Sequence, residues 1–299
     1  MRKIPIIKLG TVDLDIVESN PVIFKGRLYR FEYIRHRYHA NILNGQSYFR
    51  FVDVQSGAIG KPFGIGLHMG NAFVWNDKVY VTCIEDWGKG RFFQMESDDM
   101  VNWSEPHVIL EDPEWGGYNT SMCRADGRFL LTFELGKPEH LVKRGFTMFF
   151  AESCDLKTWK WLPDCFFDRD IYTGGPMIRY FDRWYYFFYL HEYCGDNGRI
   201  EYRQHVARSR DLKEWFWSKH NPVLDFGDDD RKVAHDRFSP EQLRKIREFE
   251  NINISDLDMC QWGSDIYMVY SWGNQHGKEF LAEAKVENMT EAEFCAGLF

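Results

Sequence analysis

The sequence lacks any apolar run of 18 residues, so no segment of its 299 residues is typical of a membrane-spanning helix. Its N-terminus, Met-Arg-Lys-Ile-Pro-Ile-Ile-Lys, has neither the apolar core nor the small-residue cleavage site of a secretory signal. Basic residues are not in excess, because 45 acidic residues outweigh 37 lysines and arginines. These absences argue against a membrane protein, a secreted protein and a general nucleic-acid binder, and we expect a cytoplasmic protein.

Paired cysteines are also missing. The seven cysteines are scattered and odd in number, and they include no Cys-x-x-Cys pair. This spacing fits neither a disulfide framework nor a zinc site, so we expect reduced thiols. The glycine-rich segments 60–66 and 88–90 lack the strand-to-helix context of a phosphate loop, so no nucleotide site is predicted.

Aromatic residues are abundant, at 17% of the chain, and one short pattern recurs. Ser-x-Asp-Leu-Lys-x-Trp begins at Ser153 and Ser209, and a related Ser-Asp-Asp-Met-Val-Asn-Trp begins at Ser97, so the starts are 56 residues apart. A fixed period of this size is typical of repeated sheet modules that cover one another's apolar faces. We interpret each pattern as structural, with the Asp starting a turn and the Trp packing under the next sheet.

Five modules follow the same order of apolar run, turn, apolar run and third strand. Asn-Asp, Asp-Gly and Gly-Ser pairs between the first two runs are hairpin signals, because these residues tolerate positive φ. The first two runs of the modules are 20–24 and 27–34, 71–75 and 78–84, 120–123 and 128–133, 176–181 and 184–190, and 258–262 and 265–270. These modules predict an all-β, five-bladed propeller of antiparallel sheets that forms one domain over residues 1–299.

The segment from Asn221 to Asn251 interrupts the repeat. Ser239 fits a helix N-cap, Pro240 the first helical position and Gln242 the capping-box partner, so a helix is predicted up to about Phe249. We expect this insertion to cover an edge or a rim. The acidic run 228–230 is interpreted as a solvated turn, since the ligand spacing of a calcium loop is missing.

The Ser-x-Asp-Leu-x-x-Trp endings and the Pro-x-Ile-x-x-x-x-x-x-Trp-Tyr-Tyr blade opening at Pro176 resemble the five-bladed propeller glycoside hydrolases, such as families 43, 32, 62, 117 and 130. The resemblance spans roughly Glu18 to Val286. It implies the propeller fold and a sugar chemistry of some kind, because this fold hosts several of them.

In a propeller, residues just before each first strand and just after each second strand converge on a central funnel. Acids, amides and aromatic residues are concentrated at these positions, where sugar hydroxyls would find donors and acceptors. In module order they are Glu18, Ser19, Asn20, Arg35 and His36; His68, Asn71, Glu85, Asp86 and Trp87; Tyr118, Asn119 and Glu134; Thr173, Gly174, His191 and Glu192; and Asp256, Asp258, Trp272, Asn274, Gln275 and His276.

Glycosidic cleavage needs one protonated and one ionised carboxyl group. Aligning the modules places Glu18, Asn119, Gly174 and Asp256 at one depth, so we predict that Glu18, Asp256 and Asp258 supply the ionised carboxylate or position the sugar. Glu192, or else Glu134, is the predicted proton donor. The predicted sugar-binding residues are Asn20, His68, Asn71, Glu85, Asp86, Asn119, His191, Trp272, Asn274, Gln275 and His276.

The resemblance to family 43 implies acids at three places where this chain has Asn20, Asn119 or Ser121, and Gly174-Gly175. The acid trio of that family therefore does not carry over. Two alternatives to hydrolysis remain open, a non-catalytic sugar-binding propeller and a phosphorylase. Arg35, His36 and Arg37 are interpreted as a solvated strand end, with phosphate binding as the alternative. No cofactor is predicted, and a central structural cation near a funnel histidine is a further alternative.

Overall fold

A computed structural model describes residues 4–195, 198–275, 277 and 279–299. Within these ranges the chain is almost entirely β-structure, with two short α-helices. No helix among them is both long enough and apolar enough to cross a bilayer. The strands are β1 (Ile7–Leu14), β2 (Ser19–Phe24), β3 (Arg27–Ile34), β4 (Tyr48–Asp53), β5 (His68–Trp75), β6 (Lys78–Ile84), β7 (Arg91–Ser97), β8 (His107–Glu111), β9 (Gly117–Ala125), β10 (Arg128–Leu135), β11 (Thr147–Ser153), β12 (Lys160–Phe167), β13 (Met177–Phe181), β14 (Trp184–Cys194), β15 (Ile200–Ser209), β16 (Phe216–Trp217), β17 (Asn253–Trp262), β18 (Asp265–Gly273) and β19 (Glu279–Val286).

These strands form four sheets made of five antiparallel meanders. The first three meanders are β2-β3-β4, β5-β6-β7-β8 and β9-β10-β11-β12. The fourth and fifth meanders, β13-β14-β15-β16 and β17-β18-β19-β1, share one eight-stranded sheet because a parallel bridge joins Tyr202 to Asn253. All three strands predicted for each module are present, at bounds that differ from the prediction by a few residues.

The tight turns between first and second strands follow from local sequence. Asn76 and Asp77 both adopt positive φ between β5 and β6, and Asp126 and Gly127 do so between β9 and β10. Asn, Asp and Gly enter this left-handed region at little cost, so the hairpin register is set locally. This explains why the strand boundaries of the hairpins could be read from the sequence.

The recurring Ser-x-Asp segments are structural turns. Asp155 Oδ1 accepts hydrogen bonds at 2.8 Å from the backbone N–H groups of Lys157 and Thr158, and Asp99 and Asp211 form the same turn. The following tryptophans pack on the preceding sheet, not the next one as predicted. Trp103, after the second meander, stacks on Phe63 beside the first, with ring centroids 3.9 Å apart.

The predicted helical insertion is confirmed. Helix α1 (Pro240–Glu248) begins at the N-cap Ser239, whose capping-box partner is Gln242. The expectation of a solvated acidic turn is wrong for Asp230. This residue lies in a 3₁₀ helix (Asp228–Arg231), is fully buried, and accepts a hydrogen bond of 2.8 Å from Tyr270. The insertion is therefore anchored to the fifth meander through a buried carboxylate.

Several elements were not predicted, among them the fourth strands β8, β12 and β16, strand β1 and a second helix. Strand β1 pairs with β19 and supplies the fourth strand of the fifth meander from the start of the chain. Helix α2 (Glu291–Gly297) packs Phe294 and Cys295 into the same core. Neither β1 nor α2 carries the repeated module pattern, so only its tertiary partners identify it.

The first strands of the meanders contact one another in sequence order. Both polar groups of the Asn20 side chain bond the backbone of Ala72, which links β2 to β5. Ser121 Oγ accepts from the N–H of Ile178 at 3.2 Å, which links β9 to β13. Strand β9 also contacts β5, and β17 contacts both β13 and β2. The starts of these five strands therefore lie near one another.

Candidate active site

A cavity of about 250 Å³ opens where the first strands begin. Residues from all five meanders line it, and four of them carry carboxyl groups. The lining residues are Glu18, Arg35, Arg37, Met69, Trp87, Tyr118, Asn119, Glu134, Phe146, Tyr172, Gly174, Gly175, Leu190, Ser255, Asp256, Gln275, Gly277 and Glu279. Of the predicted catalytic acids, the structure brings Glu18, Glu134 and Asp256 together here.

Glu18 and Asp256 occupy equivalent places in the first and fifth meanders. Their φ angles are 48° and 51°, and Met69 and Gly175 have φ of 49° and 52° at the matching places in β5 and before β13. A Cβ on Gly175 would lie 2.8 Å from Asp256 Oδ1, so the absence of a side chain there makes room for the carboxylate. Gly175, one residue later than the predicted Gly174, is thus the aligned residue.

Glu134 comes from β10 and is deeply buried. Its Oε2 accepts a hydrogen bond of 3.2 Å from the side-chain amide of Asn119. The pKa of Glu134 is raised to about 8, mainly by burial. The hydrogen bond from Asn119 opposes this increase, and the nearby Asp256 adds to it. The group therefore holds a proton at neutral pH, as a proton donor must.

Glu279 and Arg35 are the charged residues that the sequence analysis misjudged. Glu279 begins β19, which is the third strand of its meander. It was not predicted because only residues that flank first and second strands were expected to reach the funnel. Arg35 is 4% exposed rather than a solvated strand end, and its Nη1 lies 3.9 Å from Glu279 Oε2. Burial raises the pKa of Glu279 to about 7, with Arg35 opposing the shift.

Burial also raises the pKa of both Glu18 and Asp256. For Glu18 the shift is large and is increased by the neighbouring Asp256, whereas Arg35 opposes it. Burial raises the pKa of Asp256, and the Ser255 side chain and Arg35 both act to lower it. Four acids in one water-poor space cannot all ionise, so protons must be shared among them.

Aromatic rings form one wall of the cavity. Phe146 packs edge-on against Tyr118 and Tyr172, with ring centroids 4.8 and 5.7 Å away. Trp87 lies at the rim, 46% exposed, and its Nε1 donates to Tyr33 at 3.3 Å. Tyr172 stands two residues before the predicted Gly174 and was missed, although a wider window around each strand end would have included it. Such rings can stack on the apolar face of a sugar.

Asp258 does not share this cavity. Its Oδ1 accepts from Arg179 Nη2 at 2.5 Å, and it lines a second cavity of about 410 Å³ with Asn20 and Asn71. A narrow void of about 30 Å³ lies between the two, lined by Glu18 and Asp256 as well as by Asn71 and Asp258. The prediction that Asp258 points to the same space as Asp256 is therefore wrong, because the strand has a bulge between Ser255 and Asp258.

The cavity lining leaves out several of the predicted residues, namely His68 of β5, Glu85 and Asp86 after β6, and His191 and Glu192 of β14. Glu192 forms an ion pair with the exposed Arg144 instead of lying in an apolar environment. His191 packs against His205. Glu85 pairs with Arg91 at the surface, Asp86 is exposed, and His68 bonds the Tyr33 hydroxyl at 2.6 Å. Glu192, Glu85 and His68 thus have partners in the protein outside the cavity.

The predicted residues at the end of β18 and just after it have different positions. Trp272 is fully buried, stacks on Phe280 and donates to Thr11, so it cannot stack on a sugar as predicted. Gln275 lines the cavity and bonds Asn253 at 3.0 Å. Asn274 is outside the lining, and His276 lies outside the described residues.

All seven cysteines are free thiols. Among the residues that the structure describes, no group of three or more His, Cys, Asp or Glu side chains is arranged to hold a metal ion. The chemistry of the cavity therefore has to be argued from its carboxyl groups, guanidinium groups and aromatic rings.

Comparison of the sequence with protein-family models and with curated proteins finds no match. The structure, however, is similar to solved structures of glycoside hydrolases. It matches the α-L-arabinanase of Cellvibrio cellulosa complexed with arabinohexaose at 12% identity, covering 91% of each chain with a TM-score of 0.58. It matches the α-L-arabinofuranosidase of Fusarium graminearum with an iminosugar inhibitor at 10% identity, covering 96% of this chain and 98% of that one, with a TM-score of 0.59.

A third match is the family 32 β-fructofuranosidase of Bombyx mori, in a variant complexed with sucrose. It has 12% identity and a TM-score of 0.58, and the alignment covers 90% of this chain and 59% of that one. The predicted resemblance to the propeller glycoside hydrolases is thereby confirmed at the level of the fold. At these identities the likeness carries no information about individual residues.

Proposed function

We propose that this protein is a glycoside hydrolase that cleaves a small oligosaccharide or a terminal sugar unit. The observation that carries the proposal is the meeting of Glu18, Glu134, Asp256 and Glu279 in one aromatic-walled cavity. Structural turns would leave acids at the surface, whereas here Glu134 and Glu279 are buried and Glu18 and Asp256 are half-buried beside them. The volume, about 250 Å³, is just below the roughly 300–1,000 Å³ of typical small-molecule sites and suits one or two sugar rings.

We further propose that the five meanders are the blades of a five-bladed propeller. Two observations support it: consecutive first strands contact each other, and β17 contacts β2. In such a ring the cavity is one mouth of the central channel, and the space lined by Asp258 is the other. The ring explains how acids from opposite ends of the chain reach one site.

Glu134 is the proposed proton donor and Asp256 the proposed ionised carboxylate. Glu134 pairs with no cationic group among the described residues, and its pKa of about 8 keeps it protonated at neutral pH. Arg35 and the Ser255 side chain favour the charged form of Asp256. Glu134 would protonate the leaving oxygen as the C–O bond breaks. Asp256 would either activate a water molecule or attack the sugar carbon itself. In both cases water finally adds its OH to the sugar and returns a proton to the enzyme.

A phosphorylase is the second candidate, because Arg35 and Arg37 both line the cavity. In that reaction phosphate replaces water as the group that is transferred to the sugar. Guanidinium groups bind phosphate oxygens well, so the two arginines favour a phosphorylase over a site that binds neutral sugars alone.

The test is a screen of aryl glycosides and natural oligosaccharides with the wild type, Asp256→Asn and the exposed control Asp98→Asn. We expect wild type and Asp98→Asn to release sugar at equal rates and Asp256→Asn to lose at least about 100-fold in kcat. Running each assay with and without inorganic phosphate separates the two candidates, since only phosphorolysis requires it. Sugar binding without turnover of any glycoside would instead identify a non-catalytic binding protein.

A further inference from the structure

Two arginines in the cavity lack the acceptors that buried or confined guanidinium groups usually have. Arg35 is buried, and its Nη2 reaches only the carbonyl of Asp15, at 3.4 Å. Its Nη1 is 3.9 Å from Glu279, and its buried Nε has no hydrogen-bond partner among the described residues. Buried donors without partners are rare in folded proteins, so this one points to a ligand.

Arg37 stands at the mouth of the same cavity. It is exposed and forms no ion pair or hydrogen bond within the part of the chain that the structure describes. Its guanidinium lies over Gly277, where a Cβ would be 2.7 Å from Nη1. Gly277 has φ of +83°, so a residue with a side chain would be strained there as well as in contact with Arg37. Arg37 therefore lies beside Gly277 without a hydrogen-bonded acid among the described residues, although its charge opposes the effect of burial on the pKa of Glu279.

The four acids do not neutralise these arginines fully. Burial leaves Glu134, with a pKa of about 8, largely protonated at neutral pH, and Glu279, with a pKa of about 7, about half protonated. Burial also favours the neutral form of Glu18. Burial thus shifts all four acids toward their neutral forms, which leaves part of the positive charge of the two arginines for an anion to balance.

We propose that the substrate is an acidic sugar whose carboxylate binds the guanidinium groups of Arg37 and Arg35, which both line the cavity. This inference rests on the proposed function, because it names the substrate class of the same site. A carboxylate matches the planar guanidinium fork and carries the opposite charge, whereas a hydroxyl of a neutral sugar accepts only single, uncharged hydrogen bonds. Inorganic phosphate has the same oxyanion chemistry and is the competing source of the anion.

The test is calorimetric titration at neutral pH with matched pairs of sugars: galacturonate and galactose, and glucuronate and glucose. The proteins are the wild type, Arg37→Gln and the control Arg244→Gln, which changes an exposed arginine of α1. We expect at least one acidic sugar to bind the wild type about tenfold or more tightly than its neutral counterpart. Arg37→Gln should lose this preference, and Arg244→Gln should keep it, with unchanged thermal unfolding in both variants.

The other outcomes overturn the inference in distinguishable ways. Equal binding of acidic and neutral sugars refutes the acidic substrate and leaves the proposed glycosidase intact. Phosphate binding that depends on Arg37 and is strengthened by a neutral sugar assigns the arginines to phosphorolysis. If no sugar of either kind binds and no glycoside is cleaved, both the inference and the proposed function fail.

Discussion

Glu18 and Asp256 present their carboxyl groups from backbone conformations that side-chain-bearing residues seldom adopt. Their φ angles of 48° and 51° lie in the left-handed region, outside any hairpin turn. Non-glycine residues in this region are strained by an order of 1 kcal/mol, and such strain clusters at functional sites. At the matching place before β13 the chain uses Gly175, which relieves the strain and makes room for Asp256. The conformation turns the carboxyl groups of Glu18 and Asp256 toward the cavity.

Replacement of Glu134 by Gln should abolish most of the proposed activity without unfolding the protein. Gln keeps the size of the side chain and its contact with Asn119 but has no proton to donate. We expect kcat to fall by about 100-fold or more, which steady-state kinetics on the best aryl glycoside would measure. The surface exchange Glu85→Gln is the matched control and should leave kcat unchanged.

The rate profile gives an independent check on Glu134. Because its pKa is raised to about 8, the donor is protonated below that pH and loses its proton above it. We therefore expect kcat/KM of the wild type to fall as pH rises through about 8. A plateau that continues well beyond pH 9 would contradict the assignment of Glu134 as the donor.

The same carboxyl group should make stability depend on pH. The pKa of Glu134 is raised from an ordinary 4.5 to about 8 in the folded state, so its contribution is fully present below about pH 4.5 and is lost as pH rises through about 8. The free energy of unfolding of Glu134→Gln, taken relative to that of the wild type, should consequently be higher at pH 8.5 than at pH 5. Urea unfolding at both pH values measures this, and an unchanged difference in the free energy of unfolding between the two proteins would refute it.

At the scale of elements, the insertion between the fourth and fifth meanders shows why some local structure is predictable. Helix α1 begins with a complete capping box, in which Ser239 accepts from the N–H of Gln242 and Gln242 accepts from the N–H of Ser239 at 2.8 Å. These bonds involve residues close in sequence, so the pattern alone identified the start of the helix. Asp230 shows the opposite case, because its burial depends on Tyr270 and on Lys8, 2.6 Å away, which are distant in sequence.

Removal of the N-cap should weaken the insertion measurably. Ser239→Ala deletes the side-chain acceptor for the first turn of α1, and we expect a loss of about 1 kcal/mol in the free energy of unfolding. Ser239→Asp retains an acceptor and should restore most of the loss. Urea denaturation of the three proteins checks both values. An equal loss in the Ala and Asp variants would show that the cap is not the cause.

At the scale of the whole molecule, hairpins could be predicted but the site only in part. The alignment of modules predicted one depth for Glu18, Asn119, Gly174 and Asp256, and all four line the same cavity because equivalent positions in repeated sheets face the same space. It failed for Asp258, where a bulge in β17 redirects the chain, and for Glu279, which enters on a third strand. Bulges and third-strand positions depend on tertiary packing, and the hydrophobic pattern does not record them.

A buried ionic network, which no sequence pattern predicted, joins the first and last meanders. Glu32 of β3 is fully buried between two arginines, with Arg30 Nε 2.8 Å and Arg50 Nε 2.7 Å from its carboxylate oxygens. Arg30 also donates to Glu283 of β19 at 2.8 Å, and Arg50 lies 3.6 Å from Asp13 of β1. The arginines lower the pKa of Glu32 against the effect of its burial. The network thus fastens both ends of the chain to each other.

Glu32→Gln should therefore destabilise the whole molecule rather than one sheet. It leaves two buried guanidinium groups facing a neutral amide, and breaking a buried ion pair in this way typically costs about 3–5 kcal/mol. Glu241→Gln breaks an exposed pair with Lys245 on α1 and should cost about 0.5 kcal/mol or less. Urea unfolding followed by tryptophan fluorescence and by circular dichroism measures both variants. If the network joins the first and last meanders into one cooperative unit, the two probes will report the same lowered midpoint for Glu32→Gln. Separate transitions, or a loss no larger than that of Glu241→Gln, would show that the two meanders unfold independently and that the fold is held together elsewhere.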